Sequence, residues 1–203
     1  VDTTVFRPYD AGEEERAREK LGVRKDEIVI TFIGRISEDK GLPYLLESAR
    51  FLIEKYAGRV KFVIVGDGPR VKWFLENTVR YRERYILYLG PVYDSEKIVD
   101  ILNASDIFVY PITVSYGYAL SLLEAMATGL PGIITDVGPT KELIKNGGNG
   151  MVIPVRDAQA LTDTIEQLIN NEDLRKRMGK NAQKVLTRFS TGAYKRTILT
   201  NVT

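Results

Sequence analysis

The chain has 203 residues, 44% hydrophobic and 28% charged, with a net charge of +2. That is material for one large domain or two small ones, and it gives no strongly basic field to draw nucleic acid as the main partner. Cysteine and histidine are both absent, which excludes disulfides, thiol nucleophiles, Ser-His-Asp triads and most zinc sites. Chemistry falls to carboxylates, Lys, Arg, Tyr, hydroxyls and backbone dipoles. No apolar run reaches the roughly 18 residues that a spanning helix needs. The opening "VDTTVFRPYD" lacks both a signal-peptide layout and an initiator Met, so the chain reads as a processed or excised piece of something longer.

In chain order, a polar helix over 13–22 precedes "IVITFIG" (28–34), a β-branched run ended by Gly34 that reads as a buried strand. Residues 41–57 carry apolar positions at helical spacing. A second strand, 60–66, ends at Gly66, and 70–84 reads as a helix with Pro69 suited to its first turn. A third strand over 85–90, a helix over 95–105 and a fourth strand over 106–111 follow. Next come a helix around Glu124, the strand segment 129–136, a helix over 140–146 and a short strand over 150–155. Helices over 158–171 and 172–189 precede a tail. Strands alternating with helices predict one doubly wound α/β domain: a parallel, Rossmann-like sheet covered on both faces, with ligands at the carboxyl ends of its strands.

Three strand ends carry candidate chemistry. In "GRISEDKG" (34–41), Arg35 leaves the first strand and Lys40-Gly41 opens the next helix. A cation beside a helix N-terminus is unfavourable unless an anion joins it, so this loop predicts an anion site. Alternatively, Glu38 and Asp39 neutralise the loop while Lys40 points to solvent. "GDGP" (66–69) reads as a tight turn in which Asp67 caps the following helix. It is not a dinucleotide fingerprint, which argues against a dehydrogenase.

In "YPITVSYGYA" (110–119), the N–H groups of about residues 117 to 119 would point out of a helix start as a second anion site. Glu124 lies about a turn deeper, among Leu120, Leu122, Leu123, Ala125, Met126 and Ala127. A buried carboxylate needs a partner, either the vicinal hydroxyls of a ribose or an internal arginine or capping group. Most of 135–153 reads as scaffolding, with Gly147, Gly148 and Gly150 turning the chain. "NAS" (103–105) and "NVT" (201–203) match glycosylation sequons, a common chance pattern.

Taken together, "VDTTVFRP", "FIGRISEDKG", "FVIVGDGP", "LGPV", "ASDIFVYP", "LLEAMATGLPGIITDVG", "ELIKNGGNG" and "RFS" stand in an order that spans nearly the whole chain. In this the sequence resembles the donor-binding, C-terminal half of retaining glycosyltransferases of the GT-B fold, family four, also called glycosyl transferases group 1. The resemblance implies that Arg35 and Lys40 hold the diphosphate of a nucleotide sugar and stabilise the leaving group, and that Gly34 belongs to the same donor site. It implies that Glu124 binds the ribose hydroxyls. Main-chain groups of Gly117, Tyr118 and Ala119 then approach sugar and phosphate, and Gly90, Pro91 and Val92 build the base pocket.

No metal or other cofactor is expected of this type. The resemblance also implies an acceptor-binding N-terminal domain of the same chain ahead of Val1, with 190–203 crossing back to it. It implies an enzyme whose isolated donor domain is inactive. The lack of targeting signals fits a cytoplasmic residence, and a lipid-linked acceptor would bring the enzyme to a membrane surface. Two positions depart from the family pattern. Tyr116 stands where the first Glu of the motif belongs, and Ala119 where Gly is frequent. A phenol is neutral at pH 7, so Tyr116 opens a second reading, a nucleotide-sugar-binding or regulatory module without transfer activity. A sugar-nucleotide epimerase of the same architecture fits less well, because those enzymes depend on a His.

Overall fold

The computed structural model describes residues 1–115 and 117–186. Tyr116 and the tail 190–203, both singled out above, lie outside the described residues. Six strands form one parallel sheet: β1 (Ile28–Ile33), β2 (Val60–Val65), β3 (Ile86–Gly90), β4 (Ile107–Tyr110), β5 (Gly132–Thr135) and β6 (Gly150–Ile153). Their order is β3-β2-β1-β4-β5-β6, so the chain reverses direction across the sheet between β1 and β4. Strand residues alternate between faces. Ile30, Phe32, Phe62, Ile64, Ile107 and Val109 enter one core. Val29, Val63, Val65, Phe108 and Ile134 enter the other.

The first core is closed by α2 (Leu42–Lys55), α3 (Val71–Thr78) and α6 (Ala158–Ile169). The second is closed by α4 (Ser95–Asn103) and α5 (Leu120–Ala127), with α1 (Ala11–Leu21) packed on α4. The last helix, α7 (Glu172–Leu186), sends Met178 to the first core and Ala182 and Leu186 to the second. Helix starts follow their sequence signals: Asp10, Asp94 and Asp157 each cap the following helix through the carboxylate. The doubly wound prediction is what the chain adopts.

Two predicted helices are shorter than expected. The helix over 70–84 stops at Thr78, whose hydroxyl donates back to the Phe74 carbonyl at 2.8 Å. Beyond it Arg80, Arg82 and Arg84 are exposed and only Tyr81 packs on the core, and the chain turns, with Glu83 at φ 67°. Pro69 lies outside α3 rather than in its first turn. The helix over 140–146 is a 3-10 turn over Pro139–Leu143. Asn149 ends it, its amide group accepting from the Lys145 N–H at 2.6 Å and donating to the Leu143 carbonyl at 2.8 Å.

Candidate active site

The site is where the strand order reverses. β1 pairs with β2 over six positions but with β4 over two, Ile30 with Ile107 and Thr31 with Phe108. The ladder between β1 and β4 is thus the short one, and it stands at the switch point, where sheets of this kind form their ligand crevice outside the carboxyl ends of the strands. The ring of Phe32 stacks with that of Tyr110 at 6.3 Å. Burial pushes the Tyr110 phenol up, with the Lys40 charge opposing and that of Asp39 adding to it.

The loop after β1 and the loop after β4 are locked together by main chain. Thr113 donates its N–H to the Asp39 carbonyl at 2.8 Å. Gly41 has φ 68°, and a Cβ there would sit 1.8 Å from the Pro111 carbonyl oxygen, so glycine is required for the two loops to touch. A similar contact joins the first two strands, where a Cβ on Gly66 would lie 1.8 Å from the Gly34 carbonyl oxygen. Gly66 also donates its N–H to the Gly90 carbonyl at 2.8 Å. Gly34, Gly66 and Gly90 thus line up along the carboxyl edge, with Val92 partly buried just beyond.

Arg35 is exposed, and its guanidinium makes no hydrogen bond or ion pair among the described residues. Lys40 does not point to solvent. Its side chain is 15% exposed and meets Asp39 at 2.9 Å. Burial would raise the Asp39 carboxyl, but hydrogen bonds from Ser37 and Lys40 outweigh it and hold the group below its ordinary value. Lys40 also closes a 3-10 turn over Glu38–Lys40 instead of opening α2, which is capped by Gly41. Glu38 turns away to Arg70 at 2.9 Å. Asp67 does not cap α3; its carboxylate takes the neighbouring Gly68 N–H at 2.7 Å.

Across the crevice, the turn into α5 differs from expectation. The Ala119 N–H is taken by the Thr140 hydroxyl at 3.3 Å, and the Gly117 N–H lies 3.5 Å from the Ser115 hydroxyl. The N–H groups available at this helix start belong to the first turn of α5 itself, Leu120 to Leu122, because no side chain caps it. Sequence reasoning also missed Thr140, whose signal is no more than one hydroxyl in a glycine-bounded turn.

Glu124 is half-buried beside Leu122, Ala125, Met126 and Ala127, which are buried. Burial pushes its carboxyl above the ordinary range, with the charge of the N-terminal ammonium opposing. No arginine or capping group meets it; among the described residues its carboxylate has no hydrogen bond or ion pair. The contrast with Glu27 is direct. That carboxylate, 3% exposed, accepts the Arg24 N–H at 2.7 Å and stands within 4.0 Å of Lys61.

The sequon at Asn103 is spent on structure: its amide accepts from the Tyr9 N–H and donates to the carbonyls of Arg7 and Val99.

Residues 13–185 match the family model described as glycosyl transferases group 1. The chain belongs to this family. It is 32% identical over 94% of its length to the UDP-Gal:alpha-D-GlcNAc-diphosphoundecaprenol alpha-1,3-galactosyltransferase of Escherichia coli, covering 49% of that protein. To the putative glycosyltransferase EpsD of Bacillus subtilis (strain 168) it is 28% identical over 94% of its length and 49% of the relative's. The chain spans about half the length of the curated relatives it matches.

Among solved structures it superposes on the C-terminal domain of the group 1 glycosyltransferase LpcC from Francisella tularensis. The TM-score is 0.83 at 26% identity, covering 94% of this chain and 99% of that one. It also superposes on HepE from Anabaena, solved with UDP and glucose, with a TM-score of 0.86 at 22% identity, covering 100% and 54%. At that identity the second match speaks to the fold alone. The group 1 domain described here is thus the C-terminal half of a GT-B fold.

Proposed function

We propose that this domain binds the nucleotide diphosphate sugar donor of a retaining glycosyltransferase. The observation that carries the reading is Glu124 in α5, a half-buried carboxylate that no side chain or capping group meets among the described residues and on which only the distant-acting charge of the N-terminal ammonium bears. A charge so placed is unfavourable, though by less than the several kcal/mol, roughly, of a fully buried ion, unless something satisfies it. Two vicinal ribose hydroxyls are donors of the right kind and number. Arg35 and Lys40 then meet the diphosphate, Asp39 yielding Lys40 to the stronger anion. The uncapped N–H groups of α5 add their dipoles. Gly34 lies on the floor between them, and Gly90 and Val92 face the base.

Leaving-group departure needs charge stabilisation more than proton transfer, and these cations and dipoles supply it without a metal. Among the described residues no helix is long and apolar enough to cross a membrane. We assign the acceptor to the other half of the chain, with transfer in the cleft between the halves, in the cytoplasm and at the membrane surface where the acceptor is lipid-linked. Alone, this domain binds donor and transfers nothing. The named activity of the Escherichia coli relative, which uses UDP-galactose, makes UDP the first nucleotide to test.

Calorimetric titration of the full-length protein with UDP, GDP and ADP tests the reading. Heat with one of them, lost in Glu124→Gln and in Arg35→Ala, is expected; no heat with any of the three refutes it. A second reading, a binding module without transfer, is favoured by Tyr116 in the place of the motif Glu. It holds if the full-length protein binds donor yet turns over none while Tyr116→Glu does.

A further inference from the structure

The segment after β5 holds the glycine turn at the mouth of the crevice. Thr140 is 1% exposed. Its hydroxyl donates to the Gly117 carbonyl at 3.2 Å and accepts from the Ala119 N–H at 3.3 Å. A hydroxyl has one proton to give and lone pairs to receive, so one atom closes both ends of the three-residue turn. Beside it, Gly138 at φ 68° makes room for Ser115, whose hydroxyl oxygen would lie 2.1 Å from a Cβ at 138. Tyr118 reaches Glu142 at 3.5 Å.

The turn sits at the open edge, with Tyr118 52% and Leu120 59% exposed. A Cβ added at Gly117 would meet nothing within 4 Å among the described residues. Such a turn loses conformational freedom when it closes on a ligand, unless it is already set. The Thr140 hydroxyl sets it, and with it the direction in which the uncapped N–H groups of α5 face the crevice.

We infer that Thr140 is a positioning residue for the donor site, presetting the Gly117–Ala119 turn without touching the donor. This rests on the donor-site reading above. Thr140→Val keeps the volume and leaves the Gly117 carbonyl and the Ala119 N–H without their partner. Thr140→Ser keeps the hydroxyl. In the full-length protein, Thr140→Val is expected to raise the donor KM about tenfold with kcat held within about twofold, and Thr140→Ser to restore most of it. Hydrogen exchange at the Ala119 amide, measured without ligand, speeds up in Thr140→Val and not in Thr140→Ser.

An unchanged KM and unchanged Ala119 exchange in Thr140→Val overturn the inference. So does a loss confined to kcat with a lowered thermal midpoint, the mark of a purely structural role, or a Thr140→Ser variant as impaired as Thr140→Val. If the parent protein neither binds UDP nor turns over donor, the donor-site reading fails and the role given to Thr140 fails with it. The Ala119 exchange then still decides whether the brace exists.

Discussion

Replacing Gly41 by Ala separates two costs that usually arrive together. Gly41 and Gly22 share one backbone conformation, φ 68° and ψ 18° against φ 67° and ψ 35°. An L side chain strains that left-handed conformation by roughly 1–2 kcal/mol wherever it occurs. At Gly22 a Cβ meets nothing within 4 Å, so Gly22→Ala shows the strain alone. At Gly41 it meets the Pro111 carbonyl, 1.8 Å from the oxygen and 2.7 Å from the carbon.

Both partners there are main chain, so no side chain can swing away, and the two loops must part. Overpacking of that kind adds about 1–3 kcal/mol. Loosening the Thr113 to Asp39 hydrogen bond adds about 0.5–1.5 kcal/mol. The expected losses are therefore about 1–2 kcal/mol for Gly22→Ala and roughly 2.5–6.5 kcal/mol for Gly41→Ala. Urea unfolding of the two variants beside the parent measures both, provided the slopes agree. Gly41→Ala should also lose nucleotide binding, since the crevice wall moves, while Gly22→Ala keeps it. Equal destabilisation by the two variants refutes the claim that main-chain contact locks the loops.

Glu124→Gln should make the unliganded protein more stable while weakening nucleotide binding. Burial raises the folded-state pKa of this carboxyl above its unfolded value, so stability declines as pH rises through the window between them, and the ionised group at pH 7 opposes folding. The neutral amide removes that opposition, with a gain of roughly 0.5–2 kcal/mol in thermal or urea unfolding. A destabilised Glu124→Gln would mean that an internal partner holds the carboxylate. Tyr9 shifts in the same direction, at the alkaline end of the pH scale. Burial first, then its hydrogen bond to Asp100 at 2.8 Å, push the phenol up to about 12. Its contribution is therefore full below the ordinary phenol value and lost as pH rises through about 12. Ultraviolet titration of the phenolate, parent against Tyr9→Phe, checks the value, and a Tyr9 signal near 10 refutes the burial argument.

The sheet was legible because its strands are unbroken β-branched runs and its helices carry apolar residues at regular spacing. The reading failed where local pattern and tertiary context part. Residues 79–84 alternate arginines with Val79 and Tyr81, and only Tyr81 packs on the core, while Asn149 ends the turn after Pro139 from ten residues downstream. Within the site, Glu124 stood out because a charge in an apolar run has no local explanation. Arg35 was visible as a cation at a strand end. The pairing of Lys40 with Asp39 depends on how the connection over residues 34–41 folds back. The hydroxyl of Thr140 finds its partners 21 and 23 residues away, and no periodicity announces such a contact.

The glycine contacts along the carboxyl edge carry a consequence for how this scaffold changes over time. Where Gly41 rests on Pro111 and Gly66 on Gly34, the surface offered to a ligand is peptide, identical whatever side chains surround it. Such a floor cannot be retuned by ordinary substitution, only broken. On the donor-site reading, new substrate preferences have to be written into side chains around that floor, at positions such as Ala119, and a designer seeking a different donor should leave the floor alone.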